Sequence, residues 1–331
     1  MELIFAVFFL LFLYKLKLGV SDDFLSREYT EHIRGICAII IVLSHIRRTD
    51  FVLLNVFEYM GGPAVSIFFF LSGYGIVTRM KQVGIDNYMN GFLKKRVAPL
   101  FLESVFIWLI FSVCKLCITR SLDSFVSTVM SPPWYIVAIL VIYVFVYLGY
   151  KLFKSNIKAL IVFITSVDLI AVIILSSLSV DQYWYKTLLC FAAGMIFSFA
   201  EVKKEKTLPV IIGFGILTVM FGGGEYLLKN TSLEAVRALL YNAFALSLSI
   251  VVLNMGRYVK FHNPFFAFCG KMSLEIYLLH GVFQYLFCEI DALNNNDLLY
   301  GVAVIACTLL TSYAVVEVKK RILQNNKNRS S

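Results

Sequence analysis

Hydrophobic and polar positions come in blocks along this chain. Mostly apolar runs cover 2–18, 32–46, 61–80, 96–118, 134–150, 158–178, 183–200, 208–222, 235–254, 265–288 and 298–318. Short polar stretches rich in Lys and Arg separate them. Most blocks approach the length at which a helix crosses a bilayer, about 17–25 residues. The pattern predicts an all-α, polytopic transmembrane bundle of eleven helices, the second and eighth being the shortest.

Composition agrees. Of 331 residues, 60% are hydrophobic and only 15% charged, and the mean hydropathy is +0.80. A soluble domain carries about 25% charged residues, so a soluble nucleic-acid binder is excluded. The net charge of +9 then reads as topology, because Lys and Arg collect on the cytoplasmic side of membrane proteins. With the N-terminus outside, 23 of the 30 basic residues fall in cytoplasmic segments. The expectation is a multi-pass protein of the cell (plasma or inner) membrane with a cytoplasmic C-terminus. The first block has Glu2 where a secretion signal has a basic start, and Lys15 and Lys17 follow it. It is expected to stay as an uncleaved helix. Cys114 and Cys117 have CxxC spacing, but no second pair or His cluster completes a metal site, so no metal is expected.

One stretch carries chemistry, EHIRGICAIIIVLSHI from Glu31 to Ile46. Arg34 precedes His45 by eleven residues; in a helix that is about 1100° of turn and ~16 Å of rise, so the two share a face. An ionisable group inside a span faces protein or a wet cavity, because lipid cannot solvate it. An imidazole can take and return a proton near neutrality. Arg47 and Arg48 follow directly and would disfavour the imidazolium. The other reading is that His45 marks the outer interface, with those arginines snorkelling beside it.

Several motifs together resemble the acyltransferase-3 family of integral-membrane acyltransferases. Glu31, Arg34 and His45 match its opening signature. SIFFFLSGYGI (66–76), FLKKRVAPLF (92–101), PPWYIVAIL (132–140) and SLEIYLLHGVF (273–283) follow in the family's order. The resemblance implies an extra N-terminal helix and linker (1–25), a ten-helix acyltransferase core (26–320) and a polar tail (321–331). The basic cluster is KKR, with Leu93 where another arginine is often found. The expectation is a core without a fused secreted esterase-like domain, with room for a separate extracytoplasmic partner protein.

The activity implied is transfer of an acyl group, usually acetyl, from acyl-CoA to a hydroxyl of a cell-surface carbohydrate or lipid-linked glycan. Acetyl-CoA would be a co-substrate, with no tightly bound cofactor. His45 and Glu31 are the expected catalytic residues. Arg34, Lys94, Lys95 and Arg96 would hold the donor's phosphates through charge-assisted hydrogen bonds, or serve only as topological anchors. Ser72, Trp134, Tyr135 and His280 are candidates for the acceptor site or its cavity. Ser72 and Gly73 equally suit close helix packing, Trp134 and Tyr135 an interfacial position, and His280 a core hydrogen bond. Asp168 and Glu103 read as lone intramembrane carboxylates. A glycan transporter or flippase is the alternative, although the paired broken helices of transporter repeats are not evident.

Overall fold

The computed structural model describes residues 2–20, 25–46, 52–154, 156–178, 180–200 and 204–330. In chain order these form α1 (Glu2–Leu13), β1 (Leu16–Leu18), α2 (Arg27–Ser44), α3 (Val52–Val83) and α4 (Ile85–Met89). A π-helical turn, Leu93–Val97, leads into α5 (Ala98–Thr119), followed by α6 (Leu122–Val129), α7 (Trp134–Phe153) and α8 (Ile157–Ser177). A 3-10 turn, Gln182–Trp184, precedes α9 (Leu189–Phe197), α10 (Lys204–Leu227) and α11 (Glu234–Met255). β2 (Val259–Phe261), α12 (Pro264–Lys271), α13 (Ser273–Cys288), α14 (Asp291–Asn294) and α15 (Asp297–Ser330) complete the chain.

All eleven apolar blocks fall on helices, but among the described residues seven helical segments are long and apolar enough to cross a membrane. The other four blocks are built differently. α1 has 12 residues, about 18 Å of helix against a hydrocarbon core of about 30 Å. It stops before Lys15, whose φ is +56°. The chain then turns into β1, which pairs antiparallel with β2, Leu16 opposite Phe261. This small sheet is a minor addition to an all-α bundle; pairing satisfies backbone groups that leave a helix too early. α2 opens with the charged run REYTEHIR, α9 has only nine residues, and the tenth block breaks at Met272 into α12 and α13. Apolar content alone does not reveal such breaks, because buried half-helices are as hydrophobic as full spans.

α2 lies at the centre, with every residue from Gly35 to Ser44 buried, against α3, α12 and α13. Two glycine contacts set these spacings. A methyl on Gly35 would overlap the Phe266 carbonyl, and one on Gly270 the Glu31 carbonyl, so α2 and α12 meet backbone to backbone. Gly73 and Gly194 do the same for α3 and α9, against the carbonyls of Phe191 and Phe70. Small residues that admit such approach are the usual means of packing helices in lipid.

These contacts also fix directions. Gly270 meets the start of α2, while Gln284 Nε2 donates to Val42 O near its end, 3.3 Å away. α13 therefore runs alongside α2 in the same sense, whereas α12, whose Phe266 meets Gly35 and whose Gly270 meets Glu31, runs against it. α3 runs the other way, its Gly61 lying against Ser44. The bundle thus has an arginine end, holding Arg34 and Arg79, and a histidine end, holding His45.

Candidate functional site

At the arginine end a cavity of about 670 Å³ opens among α2, α3, α4, α7 and the π-helical turn, a volume in the range of small-molecule sites. Arg27 and Arg34 reach it from α2, Ser72 and Arg79 from α3, and Arg96 from the π-helical turn. Tyr88 and Tyr143 complete its polar wall. The paired positions on α2 and on α3 are each seven residues apart, close to two full helical turns, which places both members on one face. None of the described lining residues is acidic.

Each guanidinium is anchored locally. Arg27 Nε donates to Glu31 Oε1 at 2.8 Å, Arg34 Nε to Thr30 O at 3.2 Å, and Arg79 Nη1 to Gln82 Oε1 at 3.1 Å. One short contact each leaves further N–H donors for a planar, multiply charged anion, which guanidinium forks bind bidentately. Burial pushes the Tyr88 phenol above its ordinary value, and the nearby Arg96 guanidinium pulls it back.

The expected donor residues divide. Arg34 and Arg96 line this cavity; Lys94 and Lys95 do not. Successive residues of a helical turn point in different directions, so KKR presents only its arginine inward. Lys95 Nζ turns back to Asn90 O at 3.1 Å, and Lys94 is exposed. Glu31, expected to be catalytic along with His45, stands apart from it. It is held by Arg27 at the arginine end, fourteen residues or about 21 Å of helix rise from the histidine.

At the other end His45 caps α2. Its Nδ1 lies 2.8 Å from Ile41 O and 3.2 Å from Ser44 Oγ. A carbonyl only accepts, so Nδ1 carries the proton and Nε2 the lone pair. Ser44 Oγ donates to the same carbonyl at 2.8 Å. The His280 ring stands 5.0 Å from the His45 ring, centroid to centroid, at 64°. His280 is buried and its Nδ1 donates to Ile276 O at 3.2 Å, so its tautomer is set in the same way. Arg47 and Arg48, expected to tune His45, lie outside the described residues.

A relay of side chains runs between Arg34 and His45. The cavity wall includes Ser72 but not His45. Ser72 sits beside Tyr135, whose ring is 5.1 Å from Tyr277. Tyr277 lies 5.7 Å from His280, which meets His45. Bulky rings at the start of α7 and in α13 fill the space that a stripe of residues on α2 alone would leave open. Trp134 is partly buried, 6.2 Å from Tyr135 and 5.7 Å from Tyr183.

Other candidates have structural partners. Glu103 is not lone: Lys319 Nζ donates to Glu103 Oε1 and Glu275 Oε1, each at 2.6 Å, tying α5, α13 and α15 together. Asp168 is buried in α8 against the Ala192 backbone of α9. Arg27, Arg79, Tyr143 and Tyr277 were not among the expected site residues. The spacing of seven from Arg34 to Arg27 and from Ser72 to Arg79 was the available signal for two of them. Tyr277 stands one turn before His280, at i−3, the spacing of side chains that meet on one helix face.

The two ends together offer a mouth for a polyanion and an imidazole pair able to move protons, joined by hydroxyl-bearing rings. No curated protein and no solved structure matches the chain. A family model described as "Acyltransferase domain" matches residues 27–317, from the first cavity arginine to the last helix. The chain therefore belongs to the acyltransferase-3 family of integral-membrane acyltransferases.

Proposed function

We propose that this protein transfers an acyl group, most simply acetyl, from acyl-CoA bound at the arginine end to a hydroxyl of an envelope carbohydrate or lipid-linked glycan at the histidine end. The carrying observation is the arginine-lined cavity, with no acidic residue among its described wall, which suits the phosphates of coenzyme A. The basic bias of the loops supports a cytoplasmic arginine end, the side where coenzyme A is found. The acyltransferase core in this reading is 26–320, with 1–25 and 321–331 as additions.

The chemistry follows from the His45 tautomer. Nε2 takes the proton of the acceptor hydroxyl as the oxygen attacks the thioester carbonyl. The C–O bond forms, the carbonyl electrons move to oxygen, and collapse of the tetrahedral species breaks the C–S bond. The thiolate leaves and is protonated by the imidazolium, which restores His45. Ile41 O, fixed at Nδ1, keeps the ring oriented and stabilises the imidazolium by accepting its second N–H. For the thioester to reach Nε2, the Tyr135–Tyr277 contact must part; that step admits the donor only when its pantetheine arm enters.

Labelled acetyl-CoA added to membranes carrying the wild type or His45→Ala tests the reading. Label should enter envelope glycan only with the wild type; equal labelling would remove His45 from the mechanism. Binding of coenzyme A by the solubilised protein separates the proposal from a glycan transporter, which has no use for it.

A further inference from the structure

Three aromatic rings converge beside the start of α7 at the histidine end. Trp134 and Tyr183 lie 5.7 Å apart at 44°, and Tyr183 and Trp184 6.0 Å apart at 36°. Tyr183 is 48% exposed, whereas Trp134 and Trp184 are partly buried, so the cluster presents an open face on a supported base. It is held stiffly. Pro132 and Pro133 precede Trp134, and their rings fix the local φ. Trp184 N donates to Asp181 O at 3.0 Å, closing the 3-10 turn. Tyr183 Oη donates to Asp181 Oδ2 at 2.8 Å.

Planar polar side chains belong to the same turn or bond to it. Gln182 Nε2 reaches Glu234 Oε2 at 3.4 Å, and Glu234 Oε1 accepts from Arg237 Nη1 at 2.9 Å. Asp181 is exposed and Glu234 partly so. A pyranose ring has the complementary form. Its C–H face is weakly positive and suits the negative face of an aromatic ring. Its rim of hydroxyls both donates and accepts, as carboxylates and amides require. Aromatic residues that only anchor a protein at the bilayer surface are spread around the belt as separate amphipathic rings. Here they converge in one corner, with an amide and carboxylates at hand.

We infer that Trp134, Tyr183 and Trp184, edged by Asp181, Gln182 and Glu234, form a saccharide platform that holds the acceptor, an inference that rests on the acyl-transfer reading above. Trp134 links the platform to the reaction centre, because its neighbour Tyr135 touches Tyr277 and, through it, His280. The platform selects the acceptor, and the imidazole pair acts on whichever hydroxyl then reaches it.

Two of the chain's three tryptophans belong to the platform, which gives a direct optical test. A Trp108→Phe protein in nanodiscs leaves only Trp134 and Trp184 to report. Soluble saccharides released from the same cell envelope by mild hydrolysis are titrated into it. A saturable change in emission is expected, lost in Tyr183→Ala, kept in Tyr183→Trp, and abolished when the saccharides are first cleaved with periodate. The change should persist in His45→Ala, so the result does not depend on catalysis. A response that is absent, or unaltered by both Tyr183→Ala and periodate, overturns the platform. In transfer assays Tyr183→Ala should raise the acceptor KM roughly ten-fold and leave both kcat and the rate of acyl-CoA hydrolysis by water within about two-fold. Equal loss of transfer and hydrolysis would also overturn it. A wild type that binds saccharide but never uses acyl-CoA would instead refute the acyl-transfer reading alone.

Discussion

The two ends of the bundle use charge and geometry in opposite proportions. At the arginine end four guanidiniums from three elements surround an open volume, three of them anchored by one short contact each. At the histidine end two imidazoles lie ring against ring, each fixed by a carbonyl one turn earlier in its own helix. Guanidiniums around a pool of solvent act over distance and share the work, so losing one weakens a ligand without abolishing it. An imidazole that must accept a proton from one oxygen at one instant has no substitute. The comparison therefore predicts graded effects at one end and an all-or-none effect at the other.

The largest expected effect is at His45. Positioned general bases contribute about 10²–10⁴-fold, so His45→Ala should cut transfer by that factor. The acyl-CoA KM should stay within about two-fold, since the side chain is remote from the donor's phosphates. Steady-state transfer kinetics with equilibrium coenzyme A binding check this. A large loss of donor affinity would mean that the two ends are not separate in function.

Gly35→Val tests what keeps the ends in register. Its side chain would overlap the Phe266 carbonyl of α12, and in a contact between backbones only movement of a whole helix relieves it. Overpacking of this kind costs about 1–3 kcal/mol or more. The expected outcome is a melting temperature lowered by several degrees, on the order of 2–4 °C per kcal/mol for a large domain, with donor binding and transfer falling together. Thermal melts in detergent followed by size exclusion measure the first; selective loss of one function would show the contact to be local.

Arg34→Ala should come next. A hydrogen bond to a charged group is worth about 1.5–3 kcal/mol, so the acyl-CoA KM should rise roughly ten- to a hundred-fold with kcat little changed. Arg34→Lys should recover part of this, as a point charge without the planar fork. Initial rates against acyl-CoA concentration decide it. An unchanged KM would leave Arg34 as an anchor of topology.

How much of this was legible in the sequence follows from where each signal resides. The helical blocks were readable because membrane burial demands long apolar runs, and each of them contains helix. The breaks were not readable: α1 turning into β1, and the interruption at Met272, depend on what packs alongside. Arg34 and Ser72 were readable as intramembrane polar residues, and a search at spacing seven would have added Arg27 and Arg79. Glu31 shares the stripe on α2 with His45, and the length of that helix sets them at opposite ends, with Glu31 on Arg27. Tyr277 between Tyr135 and His280, and Lys319 between Glu103 and Glu275, join residues from different helices, a relation that periodicity along one helix does not encode.

The smallest expected effect sharpens the comparison from inside a single tripeptide. Lys94, Lys95 and Arg96 are adjacent in sequence, yet only the arginine lines the cavity. If the arginine end binds through its lining rather than through general basicity, Arg96→Ala should raise the acyl-CoA KM about ten-fold or more. Lys94→Ala and Lys95→Ala should each change it less than about three-fold, since exposed charges contribute about 0–1 kcal/mol. Whatever the lysines do contribute comes from long-range attraction, so it should vanish as salt shortens the Debye length from about 10 Å at 0.1 M to about 3 Å at 1 M. The Arg96 effect should persist in larger part, because Arg96, though itself exposed, would touch the bound phosphates directly rather than attract them over a distance. Measuring KM for the three variants at both salt concentrations separates the contributions. Three equal effects that fade together with salt would mean that the cluster acts as a diffuse positive surface, and that the cavity is not where the donor's phosphates rest.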